Sequence, residues 1–355
     1  MLSRLPTKIT ILLAAVVLLT SCQQSKKEYK DNFLAFGTLI NVTLFDVDEQ
    51  LANDSFRQIR DDFKLMHRSW HVWEPGPLKR TNQLLKTQAE FSVAPSVLEL
   101  ITIAKKLSAQ SQYLFNPAIG ELIALWGFHS HQHPETPPSD KAITQLLKQQ
   151  PSMDNISIQG VRMKSNNAAV KVDLGGIAKG FALERVLAEL KRNGVNNALI
   201  NTGGDLKVIG QNNQRAWKVA IRDPRPQSKN LETNIVASID LKDGEAAFTS
   251  GDYERLLKKK NTNDPHLHHI IDPRTGYPAE GTQSVTVLHA NATLADAAAT
   301  ALFIAGPKQW VEIAKAMNIK DVLLIDTNGD IRISSTMNKR IKLQQKRKII
   351  ETIDL

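Results

Sequence analysis

The apolar and polar positions of the chain change period several times, and each change marks an element. "FGTLINVTLFD" (residues 36–46) alternates and is rich in β-branched residues, which predicts a strand. "EQLANDSFRQIRDDFKLMHRSW" (49–70) carries its apolar residues three and four apart and predicts an amphipathic helix. "PSVLELITIAKKLSAQSQ" (95–112) opens with Pro95 at a helix start, and "SDKAITQLLKQQ" (139–150) predicts a helix capped by Ser139 or Asp140. Leu183, Val186, Leu187 and Leu190 mark one face of a further helix, which Asn193-Gly194 ends. Strand patterns follow in "NALINTGGDLKVIG", "AWKVAIRDP", "NIVASIDL" and "SVTVLHA". Two helices come next, "ATLADAAATALFIAG" and "PKQWVEIAKAM". "DVLLIDTNGDIRISS" then predicts a hairpin turning at Asn328-Gly329. Strands cluster with helices against them, without regular βαβ alternation, so the expected class is α+β, with one domain of mixed sheets and packed helices.

The N-terminus departs from this pattern. Arg4 and Lys8 precede a short apolar run, Ile9 to Leu19, too short for a comfortable membrane span and followed by small residues. This predicts a signal peptide over residues 1–21. "LTSC" (Leu19 to Cys22) resembles a bacterial lipobox, in which Cys22 becomes the lipidated first residue. Cys22 is the only cysteine of the chain, so the mature part needs no disulfide and suits an oxidising compartment. The expected location is the cell envelope, lipid-anchored to the outer or inner membrane and facing the periplasm; Gln23 after the cysteine favours the outer one. Residues 22–31 then read as the lipidated cysteine and a polar tether, 32–337 as the domain and 338–355 as a basic tail. The formal net charge is +9, and much of it lies in "NKRIKLQQKRK". Such a tail reads as solvated or lipid-facing, and no interleaved aromatic residues point to nucleic acid.

Several short stretches can carry chemistry. "DLGGIAKG" (Asp173 to Gly180) sits where a strand pattern becomes a helix pattern. Its glycines let backbone approach a ligand, a helix start favours an anion, and Lys179 adds charge; a plain tight turn is the other reading. It is not a P-loop, because neither the four-residue spacer nor the Gly-Lys-Ser/Thr ending is present. "NTGGDL" (Asn201 to Leu206) places a glycine pair in a strand pattern, which marks a ligand approach, a bulge or a hairpin turn. Asp296 and Thr300 lie one helical turn apart on an alanine-rich face, which suits a hard cation such as Mg²⁺ or a helix-start charge. "HHIIDPRTGYP" (His268 to Pro278) offers a general base or only a surface histidine. Arg222 and Arg255, in "IRDP" and "TSGDYER", read as surface ion-pairing residues.

Together "FGT", "FNPAIGELIALWGF", "DLGGIAKG", "NTGGDL", "IRDP", "TSGDYER", "HHIIDPRTGYP" and "ADAAAT", in this order, resemble the ApbE family of FAD:protein FMN transferases across essentially the whole mature domain. The resemblance implies that FMN moves from FAD onto a Thr or Ser hydroxyl of a target protein, typically a redox-pump subunit of the membrane, with release of AMP. It implies FAD contacts at Phe36, Trp73, Leu114, Phe115, Asn116, Asp173, Lys179 and Ile271. It implies Mg²⁺ at the Gly176 carbonyl, Asp296 and Thr300, and His269 as the base. Phe36 stands where the family has methionine, Gly76-Pro77-Leu78 where it has Ser-Glu-Leu, Asn116 where it has aspartate, and Ala299 where many members carry a second carboxylate. An FAD pyrophosphatase with water as acceptor and a flavin-binding lipoprotein without catalysis are the alternatives.

Overall fold

The computed structural model describes residues 27–128, 136–226, 234–257, 267–344 and 347–355. The signal segment, Cys22 and the tether up to residue 26 lie outside the described residues. In chain order the strands are β1 (Glu28–Ala35), β2 (Thr38–Phe45), β3 (Phe91–Ser92), β4 (Ile156–Gln159), β5 (Arg162–Ser165), β6 (Ala198–Thr202), β7 (Asp205–Ile209) and β8 (Trp217–Arg222). They continue as β9 (Ile235–Leu241), β10 (Ala246–Gly251), β11 (Thr282–His289), β12 (Asp321–Asp326), β13 (Ile331–Ser334), β14 (Lys342–Leu343) and β15 (Ile349–Ile353). The helices are α1 (Glu49–Trp70), α2 (Pro77–Leu85), α3 (Pro95–Gln110), α4 (Gly120–Leu125), α5 (Asp140–Leu147), α6 (Ala178–Arg192), α7 (Ala292–Ala316) and α8 (Ser335–Asn338).

Nine strands form the main sheet, in the order β1-β2-β6-β7-β10-β11-β12-β13-β15. Every neighbouring pair is antiparallel except β13 with β15. Helices α6 and α7 cover one face, where Phe248, Val285 and Val287 meet Ala298, Leu302 and Phe303 in the larger core. A small sheet, β14-β9-β8, covers the other face, where Leu206, Val208, Leu323 and Ile325 meet Trp217, Val236 and Ile239. Strands β7, β11 and β12 are therefore buried on both sides, and β12 carries an unbroken apolar run, Val322 to Ile325. The alanines of α7 have a packing reason: the helix lies close on β10, β11 and α6 at once. Gly306, at φ 63°, and Pro307 break α7 between the two segments expected from sequence. Among the described residues no helix is long and apolar enough to cross a membrane.

The structure redraws several boundaries. "NALINTGGDLKVIG" is two strands, because Gly203 (φ 75°) and Gly204 (φ 110°) turn the chain into the β6–β7 hairpin. "TSGDYER", read only for its charges, contributes strand β10 at the middle of the main sheet. Strand β1 starts at Glu28, inside the expected tether. The basic tail is a correction too. Lys342–Leu343 pair with β9, Ile349–Ile353 form an edge of the main sheet, and Arg340 bonds Glu245 through both terminal nitrogens at 2.7 and 2.6 Å. Alternating Ile and polar residues after Lys348 bury one side against β13, so the segment folds into the domain and its charges find carboxylates there.

Candidate functional site

A cavity of about 1670 Å³ opens where the β1–β2 turn, the end of α1, the start of α6, β10, α7 and the loops around 255 and 269 converge. It exceeds the usual volume of a small-molecule pocket and suits a dinucleotide. All twelve cofactor, metal and base residues singled out from sequence line it: Phe36, Trp73, Leu114, Phe115, Asn116, Asp173, Gly176, Lys179, His269, Ile271, Asp296 and Thr300.

The start of α6 is built by exchange between two helices. Asp173 donates its N–H to the Pro117 carbonyl at 2.8 Å, and its Oδ1 accepts the Gly175 N–H at 2.8 Å, which closes the glycine turn. No side chain of the α6 N-terminus caps it. Asp296 does so from α7: its Oδ2 accepts the Gly180 N–H at 2.8 Å. The N–H groups of Ile177 and Ala178 bond the Leu174 carbonyl, at 3.1 and 2.9 Å. The helix start thus satisfies itself, and what it presents to the cavity is Lys179 and the Asp296 carboxylate. Burial pushes Asp296 up to about 7, against the pull of Lys179. Burial also raises Asp173, which Arg255 and Lys171 partly offset.

Hard oxygens gather beside it. A Cβ on Gly176 would stand 3.2 Å from Thr300 Oγ1 and 3.4 Å from the Phe115 ring, so only glycine leaves its backbone open to the hydroxyl. Thr300 Oγ1 lies 3.4 Å from Ser250 Oγ and 3.5 Å from the Asp296 carbonyl. The Ala299 methyl lines the cavity where a carboxylate would add charge.

Sequence reasoning missed Asp205. It follows the Gly203-Gly204 turn, is buried, accepts the Thr249 N–H at 2.8 Å and forms an ion pair with Lys179. A carboxylate at the first position of a buried strand was the available signal. Lys179→Met leaves that carboxylate without its cation; we expect a loss of about 2–3 kcal/mol in thermal unfolding, and unchanged stability would show that the pair is idle. Arg255, read as a surface residue, lines the cavity: a Cβ on Gly37 would lie 3.4 Å from its guanidinium, and its charge acts on Asp173 and His269. Arg222 also reaches the cavity wall, while its guanidinium lies 4.0 Å from Glu254.

The two consecutive histidines divide. His268 is buried, its Nε2 2.9 Å from the Ala279 carbonyl and its Nδ1 accepting the Ile270 N–H at 3.2 Å. His269 turns to the cavity, its ring edge-on to Phe128 with centroids 6.4 Å apart. It bonds the Arg255 backbone, while its Nδ1 is buried and has no partner among the described residues. Burial, with the cations of Arg255 and Lys179 nearby, pushes it down to about 3, so the ring is neutral.

At the far end Phe36 and Gly37 form a two-residue hairpin turn, both at positive φ, 51° and 72°. Phe36 stacks on Trp70 at 6.0 Å with planes 5° apart. The Trp73 ring lies under the Lys171 ammonium, 4.0 Å from Nζ to centroid. Asn116 uses its amide in its own loop, donating to the Pro151 carbonyl at 2.9 Å and accepting the Ala118 N–H at 3.1 Å, which leaves its backbone and its neighbour Phe115 for a ligand.

This arrangement has known counterparts. The profile of the ApbE family matches residues 36–349. A "FAD:protein FMN transferase" of Rhodobacter capsulatus is 39% identical over 315 residues, 89% of this chain; the chain spans 58% of that relative's length. One from Klebsiella pneumoniae is 28% identical over 317 residues, which cover 88% of this chain and 93% of the relative. Among solved structures, the ApbE protein of Thermotoga maritima superposes with a TM-score of 0.79 at 29% identity, covering 88% of this chain and 99% of that one. The flavin transferase ApbE of Vibrio cholerae superposes with a TM-score of 0.76 at 25% identity, covering 89% and 99%. The family match spans both the glycine turn at α6 and the oxygen cluster of α7, so the chain belongs to the ApbE family.

Proposed function

We propose that the protein transfers FMN from FAD to a Thr or Ser hydroxyl of a target protein and releases AMP. The observation that carries this reading is a single dinucleotide-sized cavity that holds Lys179, the Asp296–Thr300–Gly176 oxygen cluster and a neutral His269. The acceptor oxygen attacks the riboflavin-side phosphorus, a phosphodiester forms, and the bond to the adenylate oxygen breaks. Lys179 sits where it offsets diphosphate charge, and Asp205 holds its ammonium in place. His269 takes the hydroxyl proton on Nδ1, the ring being fixed through its bond to the Arg255 backbone. The oxygen donors fit a hard cation: the Gly176 carbonyl, Asp296 and Thr300 would hold Mg²⁺, which supplies charge neutralisation as AMP leaves. The Phe36 and Trp73 end receives the flavin ring.

The lipobox at Cys22 supports anchoring in the cell envelope, and the target class it favours is an envelope-exposed subunit of a membrane redox pump. Mass spectrometry of such subunits, with the gene present and deleted, tests the reading: an added FMN on a Thr or Ser is expected only when the gene is present. AMP release at the same rate with and without a target protein would instead identify an FAD pyrophosphatase. His269→Ala should slow transfer about 100-fold or more. In the wild type at saturating Mg²⁺, the acid limb of kcat/KM should fall well below pH 6.5, because His269 binds its proton only near pH 3. An acid limb at pH 6 or above that disappears in His269→Ala would refute the neutral, buried base.

A further inference from the structure

Two histidines that the reaction does not use stand at the ring end of the cavity. His67 and His71 lie one turn apart at the end of α1, with ring centroids 5.2 Å apart, and both line the cavity. With Glu74 they form a cluster whose ligating atoms lie within 4.8 Å of one another, the composition of a metal site. Their hydrogen bonds argue otherwise. His67 Nδ1 accepts the Phe36 N–H at 3.2 Å. His71 Nδ1 accepts the Glu74 N–H at 2.9 Å and the Trp73 N–H at 3.3 Å. A neutral imidazole has one lone pair and one N–H. Backbone donors take the lone pair of each ring, so the proton of each ring sits on Nε2. Metal-bound histidines show the opposite pattern, donating their second nitrogen to a carbonyl or carboxylate. Burial lowers His71 further from its charged form.

The same bonds fix what surrounds the two donors. The N–H that His67 holds belongs to Phe36, at the strained left-handed tip of the β1–β2 turn, and one that His71 holds belongs to Trp73. The two aromatic residues that frame this end are therefore pinned by the two rings; His71 Nε2 lies 4.0 Å from the Glu74 carboxylate, beyond hydrogen-bond reach, so the Nε2–H groups of both rings remain for a ligand.

We propose that His67 and His71 are a paired Nε2–H donor site that selects a flat heteroaromatic ring edge carrying carbonyl and ring-nitrogen acceptors, the pyrimidine edge of the flavin. This rests on the reading of the cavity as an FAD site. Asparagine and glutamine separate the two jobs of each histidine. An Asn carbonyl stands near the Nδ1 position and keeps the backbone bond, whereas a Gln amide reaches the Nε2 position and keeps the donor.

The test uses the full chain with Mg²⁺ and titrates FMN, riboflavin and ADP by calorimetry and flavin absorption. His67→Asn and His71→Asn should each weaken FMN and riboflavin about tenfold and shift the bound-flavin absorption band, with ADP affinity and melting temperature unchanged. His67→Gln and His71→Gln should recover most of the flavin affinity. Asn variants that bind FMN like the wild type overturn the proposal, as does an equal weakening of ADP, which marks a structural role. Stoichiometric Zn²⁺ binding by the wild type that is lost in the Asn variants overturns it in favour of a metal site. A wild type that binds ADP but no flavin overturns the FAD reading itself, an outcome distinct from the others.

Discussion

Asp296→Asn is expected to leave a folded protein whose FAD turnover falls about 100-fold or more and whose demand for Mg²⁺ rises steeply. The substitution removes a charge and little else. An Asn oxygen still accepts the Gly180 N–H, so the start of α6 stays capped from α7. What disappears is the only carboxylate of the proposed cation site on α7, because Ala299 supplies none. AMP release measured across a Mg²⁺ titration checks this, and a variant equal to wild type at limiting Mg²⁺ removes Asp296 from the site. Stability should move in the opposite direction. The folded state raises Asp296 from 3.8 to about 7, so it holds a proton there that the unfolded chain has released. Without a divalent cation this contribution is present below pH 3.8 and is lost as pH rises towards 7. The melting temperature of Asp296→Asn, relative to wild type in chelator, should therefore climb between pH 4 and pH 7, and saturating Mg²⁺ should close the gap.

Gly180→Ala should cost the most stability for the fewest atoms. A Cβ there would lie 2.7 Å from the Ala292 carbonyl carbon and 2.9 Å from Asp296 Cβ, and would overlap the Ala292 oxygen. These are atoms of the α7 backbone and its first turns, and no rotamer relieves them. Helix α6 has to move off α7, at about 1–3 kcal/mol, and the Gly180–Asp296 hydrogen bond goes with it. The remaining folded protein should also lose transfer activity, because Lys179 and Asp296 sit on the two helices being separated. Thermal unfolding and AMP release on the same sample check both effects. A variant with wild-type melting temperature would show that the two helices are not in close contact.

Much of the fold was legible in local pattern. The α1 and α3 spans, the Gly306-Pro307 break and the Asn328-Gly329 turn follow from apolar spacing and from residues whose backbone preferences act within a few positions. Residues that repeat no period were missed. Strand β10, "AAFTSG", is buried among other strands and shows no alternation, and β15 reads as a charged tail until β13 is beside it. At the site, the glycine turn, Asp296, Thr300 and His269 could be singled out because each stands in a short motif, and the fold brings them to one cavity. Asp205 and Arg255 were not assigned, because their roles depend on partners 26 positions away at Lys179 and on the distant turn at Gly37.

By itself the sequence determined which segments coil or extend, where the chain turns, and which groups able to bind anions, cations or protons it carries, since these depend on neighbours within one or two turns. Only the tertiary structure decided what those groups are. It made Asp296 the cap of another helix, His269 a neutral imidazole and His67 and His71 acceptors of backbone N–H groups, because charge state and tautomer are set by burial and by hydrogen-bond partners that the fold brings together.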